Sequence, residues 1–376
     1  MKVTMINSFF EERGAHEQAR LLAKYCVEQG WTVSLITLRH SDEIPSLRLD
    51  QRIHCSSLGF GDHSKYGIQR MWKYARLLYR LRRRVRLQAP DVLISFSTIS
   101  NVFTALATRG LGLPLVVSQQ CDSSKLFEKP VWRRLRSWAY AASEAVVVPT
   151  SGIHRMLPPW VQKKTAVIPR LVALSFDRAI TLPGKKKSSS PLAVGLFASQ
   201  AESERIVRAF ALSWQRHPYW RLTIVGDWPW KAELRVLCEQ LGMAGVVEMP
   251  GEVHDVPSLL ENADLFIHQS FQENEDTFSQ DAMACGVAVL TIKGQGADGR
   301  VIRNWVNGVR VQSENVAELG QAISVLMSKE DVRRHLGSNA RRSLQQLHTH
   351  KIVHVWHSLI GHVAHAHRDR KAAASA

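Results

Sequence analysis

Long apolar runs are missing from this 376-residue chain; stretches such as Ala145-Val-Val-Val148 are among its longest. A bilayer-spanning helix needs about 20 consecutive apolar residues, so a helical integral membrane protein is excluded. Cysteine is scarce: Cys26, Cys55, Cys121, Cys238 and Cys285 form no CxxC pair and no even framework. That spacing suits a reducing cytoplasm and offers no thiolate metal site, so no metal is expected. The first residues, Met1-Lys-Val-Thr-Met-Ile-Asn7, read as a strand rather than a cleavable apolar signal, so secretion is not expected. No G-x-G-x-x-G follows a strand, which counts against a dinucleotide-dependent enzyme. Acid is also in short supply, with 33 Asp and Glu against 49 Lys and Arg and a net charge of +16. Such an imbalance calls for an anionic partner: nucleic acid, a lipid surface or a phosphorylated substrate.

What is present is a repeated alternation of strand and helix. Val3-Thr-Met-Ile6 is a short apolar strand. A polar turn containing Gly14 follows, then a helix whose apolar residues Ala19, Leu22, Ala23 and Cys26 fall at helical spacing. Gly30 closes it before the strand Thr32–Thr37. Asp91–Ser95, Leu115–Ser118 and Ala145–Val148 are continuous β-branched or aliphatic runs, as buried parallel strands require. Around 183–191 the text changes to Pro-Gly-Lys-Lys-Lys-Ser-Ser-Ser-Pro, a linker by its turn formers and like charges. The pattern then restarts with Leu192–Gly195, a helix at about 201–215 and Leu222–Val225, followed by Val246–Met249, Leu265–His268 and Ala288–Thr291. Two doubly wound α/β halves imply a cleft, with ligands at the carboxyl ends of the strands.

The most biased stretch is 65–86, where Met71, Tyr74, Leu78, Leu81 and Val85 step along one helical face. Lys73, Arg76, Arg80 and Arg83 step along another, Arg82 and Arg84 add to them, and no acid interrupts. A second aromatic-basic patch runs from Lys129 to Trp138. Basic amphipathic helices carrying Trp and Tyr sit on anionic membranes. The expectation is a membrane surface contacted through Arg80, Arg82, Arg83 and Arg84; packed helices with solvated basic backs are the simpler alternative. No nucleic-acid module signature is present, so nucleic acid is not an expected partner.

Against this basic background stands an acidic knot, Ser270-Phe-Gln-Glu-Asn-Glu-Asp-Thr-Phe-Ser-Gln-Asp-Ala-Met-Ala-Cys-Gly286. Asp276 or Thr277 can cap a short helix over Phe278–Cys285, and Gly286 can stop it. The free N–H groups at Thr277, Phe278 and Ser279 make an anion site, helped by the helix dipole. Glu273 lies in the loop at the helix mouth, and Asp281 lies eight residues on, where it can accept hydrogen bonds from a diol.

Two acids eight apart ahead of Asp-Ala-Met-Ala-Cys-Gly resemble the signature of the family 4 retaining glycosyltransferases. That resemblance implies the GT-B fold: two Rossmann-like domains facing each other across a cleft. It extends over nearly the whole chain and adds Ile224–Pro229, Gly251–Val256, Asn262–Phe266 and Asn307–Val311. It implies that residues 1–182 form an acceptor-binding domain, with a C-terminal helix at 352–370 crossing back to it, and that 191–350 form the donor-binding domain. It further implies that Glu273 holds the donor sugar hydroxyls and acts as the catalytic residue, and that Asp281 holds the ribose. Arg13, Gly14, Gly226, Asp227, His254, Asp255, Thr277 and Phe278 would complete the donor site. The donor is a nucleotide sugar, a substrate rather than a cofactor, and no cofactor is implied.

The N-terminal half looks most like transferases that extend lipid-linked oligosaccharides. The implied activity is sugar transfer, with retention, to a lipid-linked glycan or lipopolysaccharide-type acceptor, by a protein peripheral on the cytoplasmic face of the plasma membrane. The family's Gly-Gly in the first loop is Arg13-Gly14 here, and Gln119-Gln120 replace a common His. The Arg and Lys that clamp the donor diphosphate are Leu196 and Ala201, leaving Arg13, Lys231, Arg205 and Arg300 as possible replacements. That loss motivates an alternative from another class, a non-catalytic GT-B protein binding glycan or partners in an assembly complex.

Overall fold

The computed structural model describes residues 1–7, 13–39, 50–60, 67–119, 130–171, 190–197, 199–226, 228–251, 253, 256–270, 276–293, 301–311, 315–346 and 349–375. They fall into two units, the first comprising 1–171 and 350–376 and the second 172–349.

The first unit opens with β1 (Lys2–Asn7), α1 (Arg13–Glu28), β2 (Thr32–Arg39) and β3 (His54–Phe60). It continues with α2 (Gly67–Gln88), β4 (Val92–Phe96), α3 (Thr98–Thr108), β5 (Leu115–Ser118), α4 (Pro130–Ala142), β6 (Ala145–Val148), α5 (Ser151–Met156), α6 (Pro159–Gln162) and β7 (Thr165–Val167). The seven strands are parallel in the order β3-β2-β1-β4-β5-β6-β7, so the chain reverses direction across the sheet between β1 and β4. Strands covered on both faces need apolar residues throughout, and β4, β5 and β6 are buried at every position.

Helices α2 to α6 contribute Leu77, Leu81, Val85, Val102, Tyr140, Ile153 and Val161 to one core cluster with Ile6, Leu93, Val117 and Val146 of the sheet. Phe96, three residues from Leu93, belongs to the opposite face because side chains alternate along a strand. There it meets Trp356, at a ring separation of 6.2 Å. Trp356 belongs to the last helix of the chain (Thr349–Ser375), whose buried residues Ile352, Val353, Trp356, Ile360, Val363 and Ala364 recur every three or four positions. Its His357 stacks on Trp31 at 4.6 Å. Its far end is tied to the amino-terminal edge of the sheet by Arg370–Glu144 at 2.8 Å and by His367 Nε2, which donates to the Gly112 carbonyl at 2.8 Å.

The second unit runs β8 (Leu192–Leu196), α7 (Gln200–Trp214), β9 (Arg221–Val225), α8 (Lys231–Gln240), β10 (Val247–Gly251), α9 (Val256–Glu261) and β11 (Leu265–Ser270). Next come α10 (Asp276–Ala284), β12 (Ala288–Lys293), β13 (Val309–Val311), α11 (Val316–Ser328) and α12 (Glu330–Gln346), so the last helix is α13. Six parallel strands in the order β10-β9-β8-β11-β12-β13 place the reversal between β8 and β11. Trp220, 1% exposed, anchors one side of the core. Arg333 lies 4.8 Å over its ring and donates from Nη1 to the carbonyls of Leu326 and Met327, the last turn of α11.

That device recurs. Arg82 Nη1 donates to the carbonyls of Ala107 and Arg109, both at 2.8 Å, at the end of α3. Lys164 Nζ donates to Ser143 at 2.6 Å and Ala141 at 3.3 Å, at the end of α4. The last carbonyls of a helix have no internal partners, and a cation there also complements the dipole. Part of the chain's positive charge therefore serves its own helices.

The linker expected at 183–191 lies almost entirely outside the described residues, and the two units meet in sequence at Leu171 and Val172. Strands β3, β7 and β13 and several helices, α3 among them, were not among the sequence expectations. All three strands lie at a sheet edge, and β3 (His-Cys-Ser-Ser-Leu-Gly-Phe) buries only Leu58 fully, so it lacks the apolar run that identifies a central strand. Where a polar turn around Gly14 was expected, helix α1 already begins at Arg13.

Candidate donor site in the second unit

In a doubly wound sheet the ligand crevice lies outside the carboxyl ends of the strands, where the strand order reverses. In the second unit that point is the end of β8 and β11. The two strands pair in register up to Leu196 and His268. His268, 1% exposed, places Nδ1 2.9 Å from the Leu196 carbonyl, and since a carbonyl only accepts, Nδ1 carries the proton. Its ring stacks on Phe266 at 6.0 Å. His268 thus holds the two strands together at the reversal.

Two glycines finish the neighbouring strands. A Cβ on Gly195 would lie 2.6 Å from the Phe197 ring, which folds back over it. Gly226 has φ +138 and donates to the Gly251 carbonyl at 2.9 Å, and a Cβ there would overlap the Trp228 indole. Trp228 in turn stacks on Trp230 at 6.1 Å, and the Lys231 ammonium lies 3.6 Å from where a Cβ on Gly251 would stand. At 226 the backbone conformation and the indole above it call for glycine, whereas at 195 a side chain would have to displace the Phe197 ring. Lys231 brings a positive charge to the same edge.

Helix α10 starts beyond β11, at Asp276. Ser279, Ala282 and Met283 are fully buried and seat it on the core, whereas Asp281 is half-buried and stands about 200° around the helix from Ser279. Gly286 has φ +72 and its N–H reaches the Met283 carbonyl at 3.0 Å, the stop expected from sequence. Gly337 of α12 packs so closely on the Gly286 carbonyl that any Cβ would collide with it.

Of the residues expected at the donor site, Gly226, Phe278 and Asp281 are therefore located in this unit, at the carboxyl end of β9 and on α10, while Gly14 lies in the first turn of α1 in the first unit. Glu273, Asp227, His254 and Asp255 lie outside the described residues, as do the side chains of Arg13 and Thr277. At the positions of the missing diphosphate clamp, Leu196 is half-buried and Ala201 is exposed in the first turn of α7. Glu202 beside it is 1% exposed, at a helix start capped by Ser199 Oγ, which accepts from the Glu202 N–H at 3.4 Å. The surface arginines divide. Arg80 donates to the Leu58 carbonyl at 3.0 Å and Arg82 caps α3, while Arg83 and Arg84 face solvent.

Sequence reasoning missed a polar network at the corresponding edge of the first unit. Ser97, between β4 and α3, has φ 78, a backbone conformation costing on the order of 1–3 kcal/mol for a residue with a Cβ. Ser95 Oγ donates to Asn101 Oδ1 at 2.6 Å, and Asn101 Nδ2 donates to the Ser118 carbonyl at 3.1 Å. Thr98 Oγ1 donates to Gln119 Oε1 at 3.0 Å. All of these side chains are buried. The signal was available in Ser95-Phe-Ser-Thr-Ile-Ser-Asn101, a hydroxyl-rich run directly after an apolar strand.

Displaced ionisation is found away from both edges. Burial, with Glu239 nearby, pushes the Cys238 thiol up to about 11, and burial lowers the Arg333 guanidinium from its usual value. Among the described residues no His, Cys, Asp or Glu cluster is placed to hold a metal ion, and no helix is long and apolar enough to cross a membrane.

Comparison with known proteins agrees with this architecture. The family described as "Glycosyl transferase 4-like domain" matches residues 13–170, and "Glycosyl transferases group 1" matches 182–343. A Campylobacter jejuni protein, "GalNAc-alpha-(1->4)-GalNAc-alpha-(1->3)-diNAcBac-PP-undecaprenol alpha-1,4-N-acetyl-D-galactosaminyltransferase", is 24% identical over 292 residues, 77% of this chain and 79% of that protein. Sucrose-phosphate synthase from Thermosynechococcus elongatus superposes with a TM-score of 0.76 at 15% identity, covering 97% of this chain and 100% of its own. Anabaena HepE in complex with UDP and glucose does so at 0.75 and 18%, covering 96% and 99%. The chain belongs to the family 4 glycosyltransferases of the GT-B fold and is a hexosyltransferase-type enzyme.

Proposed function

We propose that this glycosyltransferase moves a sugar, with retention at the anomeric carbon, from a nucleotide-sugar donor to a lipid-linked glycan or lipopolysaccharide-type acceptor. It does so as a peripheral protein on the cytoplasmic face of the membrane, in contact with anionic lipid. The observation that carries the reading is the reversal of strand order between β8 and β11, with α10 opening beyond β11. A helix start offers backbone N–H groups and a favourable dipole end to the donor diphosphate. Asp281 then holds the ribose and Glu273 the hydroxyls of the transferred sugar. The second unit is the donor domain and the first the acceptor domain. The Campylobacter relative, whose name carries an undecaprenol diphosphate acceptor, supports the acceptor class.

The bond from the sugar to the diphosphate breaks as the bond to the acceptor oxygen forms, so negative charge grows on the departing nucleoside diphosphate. Donors aimed at developing charge are commonly worth about 3–4 kcal/mol each. With Leu196 and Ala201 in place of the clamp, that charge falls to the α10 backbone and to a cation from elsewhere. Arg13, at the first turn of α1, is the leading candidate, and Lys231 at the edge of β10 is the next. Melting curves with a panel of nucleoside diphosphates and nucleotide sugars test donor binding, since a ligand of the folded state raises the melting temperature by mass action. A rise with one base and not the others is expected; no rise with any of them would count against a nucleotide-sugar donor.

A further inference from the structure

The outer side of α2 carries a feature that sugar transfer does not use. Leu77, Leu81 and Val85 face the core. Directly opposite, Trp72, Arg76, Tyr79, Arg83 and Arg86 follow one another at steps of four, three, four and three, a single meridian of the helix. Trp72 and Tyr79 are 75% and 65% exposed, and Leu87 beside Arg86 is 74% exposed. Large aromatic side chains left in water along the back of a packed helix mark an interaction surface.

The helices beside them carry charge of one sign. Helices α2 to α6, the layer on this face of the sheet, contain no Asp or Glu, while α2 holds eight Lys and Arg and α4 three. On the other face, α1 carries Glu17 and Glu28, and α13 carries Asp369. No carboxylate pairs with Arg76, Arg83 or Arg86 among the described residues. Arg80 and Arg82, in contrast, are turned to the carbonyls of Leu58, Ala107 and Arg109.

We infer that the meridian Trp72–Arg76–Tyr79–Arg83–Arg86 is the docking face for an anionic bilayer, with α2 lying flat in the headgroup region. This deepens the membrane reading above and rests on it. From Trp72 to Arg86 the stripe runs about 21 Å at 1.5 Å per residue, long enough to fix the helix axis in the membrane plane. Trp and Tyr favour the boundary between headgroups and acyl chains, and arginine among them meets the lipid phosphates. A protein partner would need carboxylates arrayed opposite each arginine, whereas an anionic bilayer presents negative charge everywhere along a flat face. That continuity matches an acid-free helix layer.

The test uses the full chain with vesicles of phosphatidylcholine and phosphatidylglycerol at physiological salt, read by co-sedimentation. Arg76→Gln with Arg83→Gln should weaken partitioning about 25-fold, since each basic residue near such a surface contributes about fivefold. Trp72→Ser with Tyr79→Ser should weaken the binding that survives at high salt. Both pairs should melt like wild type, because their side chains touch nothing in the core. Arg82→Gln should do the opposite, lowering the melting temperature and leaving partitioning to the vesicles unchanged. If both double variants sediment as wild type does, this face is wrong while the membrane reading stands. If wild type does not bind these vesicles, or binds a single-stranded DNA probe in their place, both are overturned.

Discussion

The two units repeat one architecture and finish it with different chemistry. At the reversal point of the first sheet, Ser95 bonds Asn101 and Thr98 bonds Gln119 in two buried polar pairs beside a strained Ser97. At the reversal point of the second, Gly195 lies under the ring of Phe197 and His268 ties the strands, and on the neighbouring β9 Gly226 lies under the ring of Trp228. A shared doubly wound strand order therefore leaves the chemistry of the edge open, and a few residues after each strand decide it. The polar side chains of the first edge are buried and satisfy one another, so they hold the fold there; the second edge adds a helix start and the Lys231 ammonium, both of which favour an anion.

The comparison breaks most visibly at the acidic pair. Glu273→Ala should lower turnover by about 100-fold or more, with nucleoside diphosphate affinity little changed, because a contact to the transferred sugar acts on the transition state. Asp281→Ala should chiefly weaken nucleoside diphosphate affinity. Calorimetric titration beside steady-state rates separates the two, and parallel losses in both variants would remove the distinction between their roles.

In the first unit the network itself can be broken. Asn101→Ala leaves the Ser95 hydroxyl without its acceptor and the Ser118 carbonyl without its donor, at a cost of about 2–4 kcal/mol for two buried polar groups. Chemical denaturation should show that loss, and Ser95→Ala, which removes a single donor, should lose less than half of it. Equal losses would mean that the bonds stand or fall together and that the separate costs assigned to them are wrong.

A smaller effect separates two helical glycines. Gly337→Ala drives a Cβ into the Gly286 carbonyl behind α10 and should destabilise by about 1–3 kcal/mol, the usual cost of overpacking. Gly361→Ala, in α13 of the first unit, meets nothing within 4 Å and should stabilise by about 0.5–1 kcal/mol through helix propensity. Differential melting of the two variants checks both signs at once.

Much of this architecture could be read from the residues, for a physical reason. Central parallel strands are buried on both faces, so Val92–Phe96 is apolar apart from Ser95 and Ala145–Val148 is apolar throughout. Edge strands escape that demand, which is why β3 and β7 passed unread. Gly286 could be read as a helix stop because its role is local. Gly195 and Gly226 could not be assigned their reason, since the rings above them fold back in space. The basic residues were harder still. Arg80, Arg82, Arg83 and Arg84 look alike in a string, yet two bond backbone carbonyls and two face water, a distinction set by helix phase and by what packs beside each. Lys164 and Arg333 likewise neutralise helix ends, so net charge alone overstates the demand for an outside partner.

The central claim is transfer from a nucleotide sugar to a lipid-linked acceptor, and product formation tests it most directly. The purified protein is incubated with a panel of nucleotide sugars and an undecaprenol diphosphate-linked oligosaccharide pool, and the glycans are read by mass spectrometry and by the anomeric coupling of the new linkage. The account predicts growth of the acceptor by one hexose-type residue from one donor, in the anomeric configuration that the donor carried, and loss of that product in Glu273→Ala. No extension and no donor hydrolysis with any nucleotide sugar, from a folded protein, would contradict it.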